Sequence, residues 1–275
     1  MPVAMDLKCP ACGAGGSLNF LPDLTDPTEC RCLECDATES ITGGVVDLAP
    51  DLPEVVTSGG LAQRLMNTRF FAGLYETPLW RPLLARLGSG EAPEQEITDV
   101  LGFLDGANPT VVADLCCGTG HYTRALSERF PSARVYGVDI SPGMLARARV
   151  LAKDGHPKIH FVRGNIYHLP LPDNSVDIIN SCAALHLFPD LTPIWREIHR
   201  VLKPGGLFTA MSISLAPGPL RKVQTHMMER GKATFFDPRD LGRHLADAGL
   251  DQFEFLLKRV SLVWKVQKPG AGITA

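Results

Sequence analysis

The sequence predicts an α/β protein: an open, doubly wound, mostly parallel sheet with helices on both faces, preceded by a small cysteine-rich unit. Three observations carry that prediction. From residue 110 onward, short apolar and β-branched runs alternate with helix-length runs, the pattern of parallel strands joined by crossover helices. The first of these strands leads into a glycine-bearing turn, VVADLCCGTG at 111–120, that opens a helix. By contrast, the first fifty residues are punctuated by Gly, Pro and five cysteines between Cys9 and Cys35.

Each element follows from its pattern. Residues 61–104 have helical character, with Leu61, Leu65, Phe70 and Leu74 at roughly one-turn spacing and a Gly-Ser-Gly loop at 88–90. Residues 111–115 read as a buried strand, 121–130 as a helix and 134–138 as a second strand. A helix over 142–152 has Ser141 as N-cap and Pro142 at its first position. Short strands follow at 159–162 and 176–181, then a helix over 191–202 that stops at Lys203-Pro204-Gly205-Gly206. Residues 207–213 form a strand, and 238–248 a helix capped by Asp237 and ended by Gly249. Two β-rich runs, 253–257 and 260–266, suit a closing hairpin. The expected division is 1–50 for the cysteine-rich unit, 51–106 for a helical lid or linker, and 107–275 for the α/β domain.

Hydrophobic residues make up 45% of the 275 and charged residues 21%, which supports a packed core rather than disorder. A net charge of −3 gives no general attraction to nucleic-acid backbones or anionic membranes. No basic stretch followed by an apolar run opens the sequence, and no apolar run approaches the roughly 20 residues that cross a bilayer. A cytoplasmic location without membrane association is the expectation.

Asp139 lies about 20 residues beyond the first glycines, at the end of the second strand, which is where a dinucleotide-type site places its acid. Glycine lets backbone approach a ligand that a Cβ would strike, and a carboxylate there can accept both ribose hydroxyls. Glycines in a turn after a strand carry little information alone; the strand context and Asp139 supply it.

DLCCGTG, VYGVDISPGML, GNIYHLPLPDNSVDIINS and EIHRVLKPGG together resemble the successive motifs of class I S-adenosylmethionine-dependent methyltransferases, and closely resemble the branch that includes the ubiquinone and menaquinone enzymes. The resemblance covers residues 110–268 and implies a Rossmann-like fold that binds S-adenosylmethionine. It implies that Asp114 supports the turn and the methionine portion, that Cys116, Gly118 and Gly120 line the cofactor, and that Asp139 holds the ribose. Ile140 and Met144 would pack beside the adenine, Asn165 would bond its amino group, Ile166 would be a further cofactor contact, and Ser181 and Cys182 would face the methyl donor. The sequence departs from the family in two places. Cys116 stands where Gly is usual, and Asn165 replaces Asp, keeping an acceptor but losing charge.

Methyl transfer from a sulfonium is an in-line displacement, so positioning and exclusion of water matter more than an elaborate set of catalytic groups. A base is needed only where the acceptor must lose a proton. His186, in the segment after the fourth strand, is the first candidate for a base or substrate contact; the alternative is a structural histidine bonded to backbone. In the family, the region before the first strand forms a lid. Here it contains Arg69, Tyr75 and Arg81, which would suit an aromatic or anionic acceptor, with Tyr75 a second catalytic candidate. Phe70, Phe71 and Leu74 read equally as ordinary core. His226, with Met227 and Met228, follows the fifth strand and could close the pocket's other side.

Cys9-Pro-Ala-Cys12 and Cys32-Leu-Glu-Cys35 are two CxxC knuckles, a spacing that can surround Zn²⁺ tetrahedrally and stabilise a strand pair too small for its own core. The segment resembles a zinc ribbon of the kind that precedes the methyltransferase domain in some bacterial and plastid enzymes, where a GVVDL-like stretch, here 44–48, follows. Cys30 competes with Cys32 as a ligand, and disulfides or an empty ribbon are the alternatives. Four cysteines leave no open position, so the expected role is structural.

Three functions fit this pattern. The first is methyl transfer to a small molecule. The second is methylation of RNA bases, against which the charge balance and the scarcity of basic residues around Lys8 and Arg31 weigh. The third is a cofactor-binding cyclase or scaffold that transfers no methyl group.

Overall fold

In the computed structural model, residues 4–5, 7–16, 18–20, 28–49, 80–152, 156, 158–230 and 233–270 are described. Among them, twelve strands form one sheet in the order β1-β2-β3-β4-β5-β8-β7-β6-β9-β10-β12-β11. The predicted α/β core occupies its centre. Strands β6 (Val111–Leu115), β7 (Arg134–Asp139), β8 (Ile159–Arg163), β9 (Val176–Cys182) and β10 (Leu202–Ile213) run parallel. The predicted closing hairpin is present as β11 (Asp251–Lys258) and β12 (Ser261–Gln267), with β12 antiparallel to β10.

Alternation along β6 explains the two faces. Val112 packs with Leu126, Phe130, Leu145 and Phe161 on one side of the sheet, while Ala113 joins a larger core on the other. Helices α1 (Trp80–Gly88), α2 (Pro93–Gly102), α3 (His121–Arg129) and α4 (Pro142–Ala152) precede or flank the first strands. Helix α5 (Thr192–Val201) buries Ile194, Trp195, Ile198 and Val201, a one-sided stripe that fastens it to the sheet. Trp264 of β12 stands edge-on to Phe208 of β10 at 4.9 Å and 83°, a favoured aromatic arrangement. The two predicted caps form: Ser141 Oγ accepts from the Met144 amide at 3.3 Å and Asp237 from the Arg239 amide at 3.0 Å.

Two elements differ from expectation. Helix α5 ends at Val201, within a residue of prediction, but Leu202 already pairs with Val176, so β10 starts before the expected 207 and Lys203–Gly206 forms a bulge inside it. An unpredicted helix, α6 (Pro219–Glu229), buries only Gln224. That side chain accepts from the Ala216 amide at 2.6 Å and donates to the Ser214 carbonyl at 3.1 Å. One glutamine tethers α6, so no apolar stripe announces it. The two final strands also extend beyond 253–257 and 260–266 to the limits given above. Helix α7 (Pro238–Asp247) follows prediction to within a residue.

The cysteine-rich unit contributes β1 (Ala4–Met5), β2 (Leu18–Phe20), β3 (Glu29–Cys32), β4 (Thr38–Thr42) and β5 (Val45–Asp47). Strand β5, from the GVVDL stretch, pairs in parallel with β8 and so extends the main sheet. No helix among the described residues is long and apolar enough to cross a membrane.

Candidate functional site

The strand order reverses around β6: β7 and β8 lie to one side, β9 and β10 to the other. Loops leaving neighbouring strand ends diverge at such a point and open a crevice. A cavity lies there, bounded by the turn after β6, the end of β7, the loop after β8 and the segment after β9.

The turn and the acid are joined. Asp139 accepts from the Gly118 amide and the Ser141 amide, each at 2.8 Å. Burial raises the pKa of Asp139, and the amides of Ser141, Gly118 and Ile140 oppose that rise. Gly118 has φ +54 and nothing within 4 Å of where a Cβ would stand, so the backbone itself faces open space. Cys116 adopts φ 54 as well, the left-handed region that glycine occupies without penalty. This explains why the family places glycine there. Gly120 has a different role: it does not line the cavity, and a Cβ there would come within 3.2 Å of Ala148 and 3.3 Å of Phe161. It lets α3 and α4 pack against the sheet.

Beneath the floor, Asp114 is buried and accepts from Thr123 Oγ1 at 2.6 Å and Asn180 Nδ2 at 2.7 Å. Burial pushes its carboxyl up to about 6 despite both bonds. Asn180 accepts in turn from Thr209 at 3.1 Å and from the Cys182 thiol at 3.4 Å. This network holds the ends of β6, β9 and β10 in fixed register. The sequence reading missed Asn180; its signal was a polar side chain inside an apolar strand.

Of the other predicted cofactor residues, Cys116, Ile140, Met144, Asn165, Ile166 and Cys182 line the cavity. Asn165 Oδ1 also accepts from the Tyr167 amide at 3.0 Å. Ser181 is fully buried and lies behind the lining; its hydroxyl has no hydrogen-bond partner among the described residues. Tyr122, Tyr167, Leu187 and Phe188 line the cavity without having been predicted. Tyr122 follows directly from its place at the start of α3, where the first turn faces the crevice.

The acceptor candidates fare differently. His186 does not line the cavity; its backbone carbonyl accepts from the Thr234 amide at 2.7 Å, and burial lowers its imidazole pKa to about 4. His226 is exposed on α6, 4.0 Å from Glu229, and Met228 is also exposed, so neither closes the cavity. Arg69 and Tyr75 lie outside the described residues, as does the Arg81 side chain. No Lys or Arg lines the cavity among the described residues. A separate cleft between α5 and α7, lined by Trp195, Phe235, Asp240 and His244 among others, contains Met228 of the residues considered from sequence.

The second constellation lies in the N-terminal unit. The sulfurs of Cys9, Cys12, Cys32 and Cys35 all lie within 4.8 Å of one another, with Cys9–Cys35 at 3.8 Å and Cys12–Cys32 at 3.7 Å. A tetrahedron of thiolates at a Zn–S distance of about 2.3 Å has edges of about 3.8 Å. The two knuckles repeat one turn: Gly13 donates to the Cys9 carbonyl at 2.9 Å and Asp36 to the Cys32 carbonyl at 3.1 Å. Cys30 stands apart, fully buried in the apolar core, where desolvation pushes its thiol up to about 11. None of the eight cysteines forms a disulfide.

Comparison with known proteins agrees with this geometry. Residues 113–210 match the methyltransferase domain family. A demethylmenaquinone methyltransferase of Lactococcus lactis is 40% identical over 58% of this chain and 60% of its own length. A malonyl acyl-carrier-protein O-methyltransferase of a Methylovorus species is 36% identical over 52% of this chain and 51% of its own. An uncharacterized chloroplastic methyltransferase of Arabidopsis thaliana is 25% identical over 87% of this chain and 70% of its own length. The chain thus spans about half to 70% of the length of these relatives. Among solved structures, phosphoethanolamine N-methyltransferase 2 of Haemonchus contortus superposes with a TM-score of 0.64 at 16% identity, over 79% of this chain and 61% of that one. A Methanosarcina mazei S-adenosylmethionine-dependent methyltransferase superposes with a TM-score of 0.54 at 22% identity, over 62% and 97%.

Proposed function

We infer, from a chain that carries a class I S-adenosylmethionine-dependent methyltransferase domain, that it transfers the methyl group of this cofactor to a small apolar or aromatic molecule. The single observation that carries the reading is the Asp139–Gly118 clasp at the reversal point of the strand order.

The residues present fit the cofactor. The Asp139 carboxylate on the cavity wall suits a ribose diol, Ile140 and Met144 offer apolar surface to a purine, and Asn165 offers an amide to its edge. The open space at Gly118 admits the chain beyond the ribose. When bound, the cofactor supplies an activated methyl carbon, so the remaining task is to orient the nucleophile and exclude water. Tyr122, Cys182 and Phe188 provide a largely apolar surround for that step. Burial raises the Cys116 and Cys182 thiols well above their ordinary range, so neither serves as a thiolate base at neutral pH. The apolar wall suits an aromatic acceptor, while Arg69 and the Arg81 side chain, the candidates for an anionic one, lie outside the described residues.

The four-cysteine cluster is read as a structural zinc site held by Cys9, Cys12, Cys32 and Cys35, because its sulfur spacing matches a tetrahedral thiolate shell. It leaves no open coordination position and takes no part in methyl transfer.

Calorimetric titration with S-adenosylhomocysteine tests the cofactor. Incubation of methyl-labelled cofactor with a metabolite extract, and separately with total RNA, tests the acceptor. The reading predicts one binding site and label in the metabolite fraction. Binding without transfer to either would favour a scaffold, label in RNA would replace the small molecule, and absence of binding would overturn the reading.

A further inference from the structure

We propose that the N-terminal unit is built into the nucleoside wall of the cofactor site, with Asp47 and Arg163 as its positioning residues. The proposal rests on the cofactor reading above. It differs from a ribbon that is merely tethered to an independent domain, because two sets of contacts run from the unit to residues that line the cavity.

The first runs along β5. Its three residues pair in parallel with β8, placing Asp47 beside Arg163. Arg163 Nη1 donates to both Asp47 oxygens, at 3.1 and 2.9 Å, and its Nε donates to the Ile140 carbonyl at 3.2 Å. Both side chains are mostly buried, at 20% and 28% exposure, so the pair is less screened than a surface pair. Ile140 lines the cavity and directly follows Asp139. The guanidinium therefore ties the tail of the ribbon to the backbone just past the ribose acid. A planar fork can hold both partners at once, and an ammonium cannot reproduce that geometry.

The second runs through the knuckles. The Lys8 amide donates to the Pro170 carbonyl at 2.9 Å, and Gly15 lies so close to Pro172 that a Cβ would come within 2.9 Å of its ring. Leu7, Leu18 and Cys30 are fully buried in the same core as Ile166, Leu169 and Leu171. Pro170 packs on Gly164, which a Cβ would bring to 3.0 Å. The loop from Gly164 to Leu171 is thus held between the cysteine cluster on one side and the cavity on the other, and Gly164, Asn165, Ile166 and Leu169 line that cavity. Order in the knuckles, fixed by a metal, becomes order in the adenine wall.

The test compares full-length zinc-loaded protein with its Asp47→Asn, Asp47→Glu and Arg163→Lys variants, and with wild type stripped by a chelator. Affinity for S-adenosylhomocysteine is read by calorimetry, and amide exchange of residues 164–171 by mass spectrometry. Asp47→Asn, Arg163→Lys and metal removal should each weaken binding by about 5- to 20-fold and speed exchange in that loop, while Asp47→Glu restores affinity. The surface variant Asp105→Asn, which breaks the exposed pair with Arg129, should leave affinity unchanged. If wild type binds and the stripped and variant proteins bind equally well, the proposal fails while the cofactor reading stands. If wild type itself does not bind, the cofactor reading fails first. Should a variant not fold, the stripped wild type with its loop exchange still decides.

Discussion

Removing the Asp139 carboxylate separates two kinds of stabilisation that the site combines. In the folded protein the group accepts the Gly118 and Ser141 amides at 2.8 Å each, and the residue lines the cavity. Asp139→Ala leaves two amides without their acceptor and removes the ribose partner. Hydrogen bonds to a charged group contribute about 1.5–3 kcal/mol each. Water entering the vacated cavity recovers part of the backbone loss, so unfolding stability should fall by about 1–3 kcal/mol. Loss of the diol contacts should weaken S-adenosylhomocysteine by about 10- to 100-fold, or about 1.4–2.8 kcal/mol. Asp139→Asn keeps one acceptor but presents an amide N–H where a donor already points, so its affinity should fall between the two. Burial raises the Asp139 pKa. Wild-type affinity should therefore weaken on acidification from a higher pH than an ordinary carboxylate would allow, and Asp139→Asn should lose that dependence. Urea unfolding measures the first loss and calorimetry the second. A folded Asp139→Ala protein with wild-type affinity would refute the assignment of the acid to the ribose.

Other perturbations follow from particular residues. Cys116 is held at φ 54; Cys116→Gly relieves strain of about 1–2 kcal/mol and should keep cofactor affinity, while branched Cys116→Val should lower stability by about 2 kcal/mol in urea unfolding. The His186 pKa is lowered from 6.5 to about 4, so between those values the unfolded chain binds a proton that the folded chain refuses. Stability should fall by up to about 3 kcal/mol as pH drops through that window. His186→Gln should flatten the trend in unfolding measurements across it, and an unchanged slope would remove His186 as its source. Zinc analysis of gently purified protein should find one ion per chain, and Cys12→Ser should abolish it; an absence of zinc from wild type would count against the metal site.

The fold was legible because its strongest signals are local. A buried strand, a glycine turn and an acid at the next strand end are fixed by short-range sterics and hydrogen bonding, so Val111–Leu115, Gly118 and Asp139 could be placed from spacing alone. The sulfur cluster was legible for the same reason, since each CxxC knuckle is one turn long. What stayed hidden depends on tertiary context. Gly120 fits the motif, yet what constrains it in the fold is close packing against Ala148 and Phe161. Nothing in SCAALHLFPD distinguishes a histidine that faces the cavity from one turned behind it. Helix α6 hangs on Gln224, whose partners Ser214 and Ala216 are themselves in a loop. Asn180 ties Asp114, Thr209 and Cys182 together across three strands, a network with no periodicity to reveal it.

The most direct measurement is a crystal structure of the protein grown with S-adenosylhomocysteine. The predicted result is density for the nucleoside between Gly118 and Asn165, with both ribose hydroxyls on Asp139. An empty crevice in crystals saturated with the compound, or density only in the cleft between α5 and α7, would contradict it.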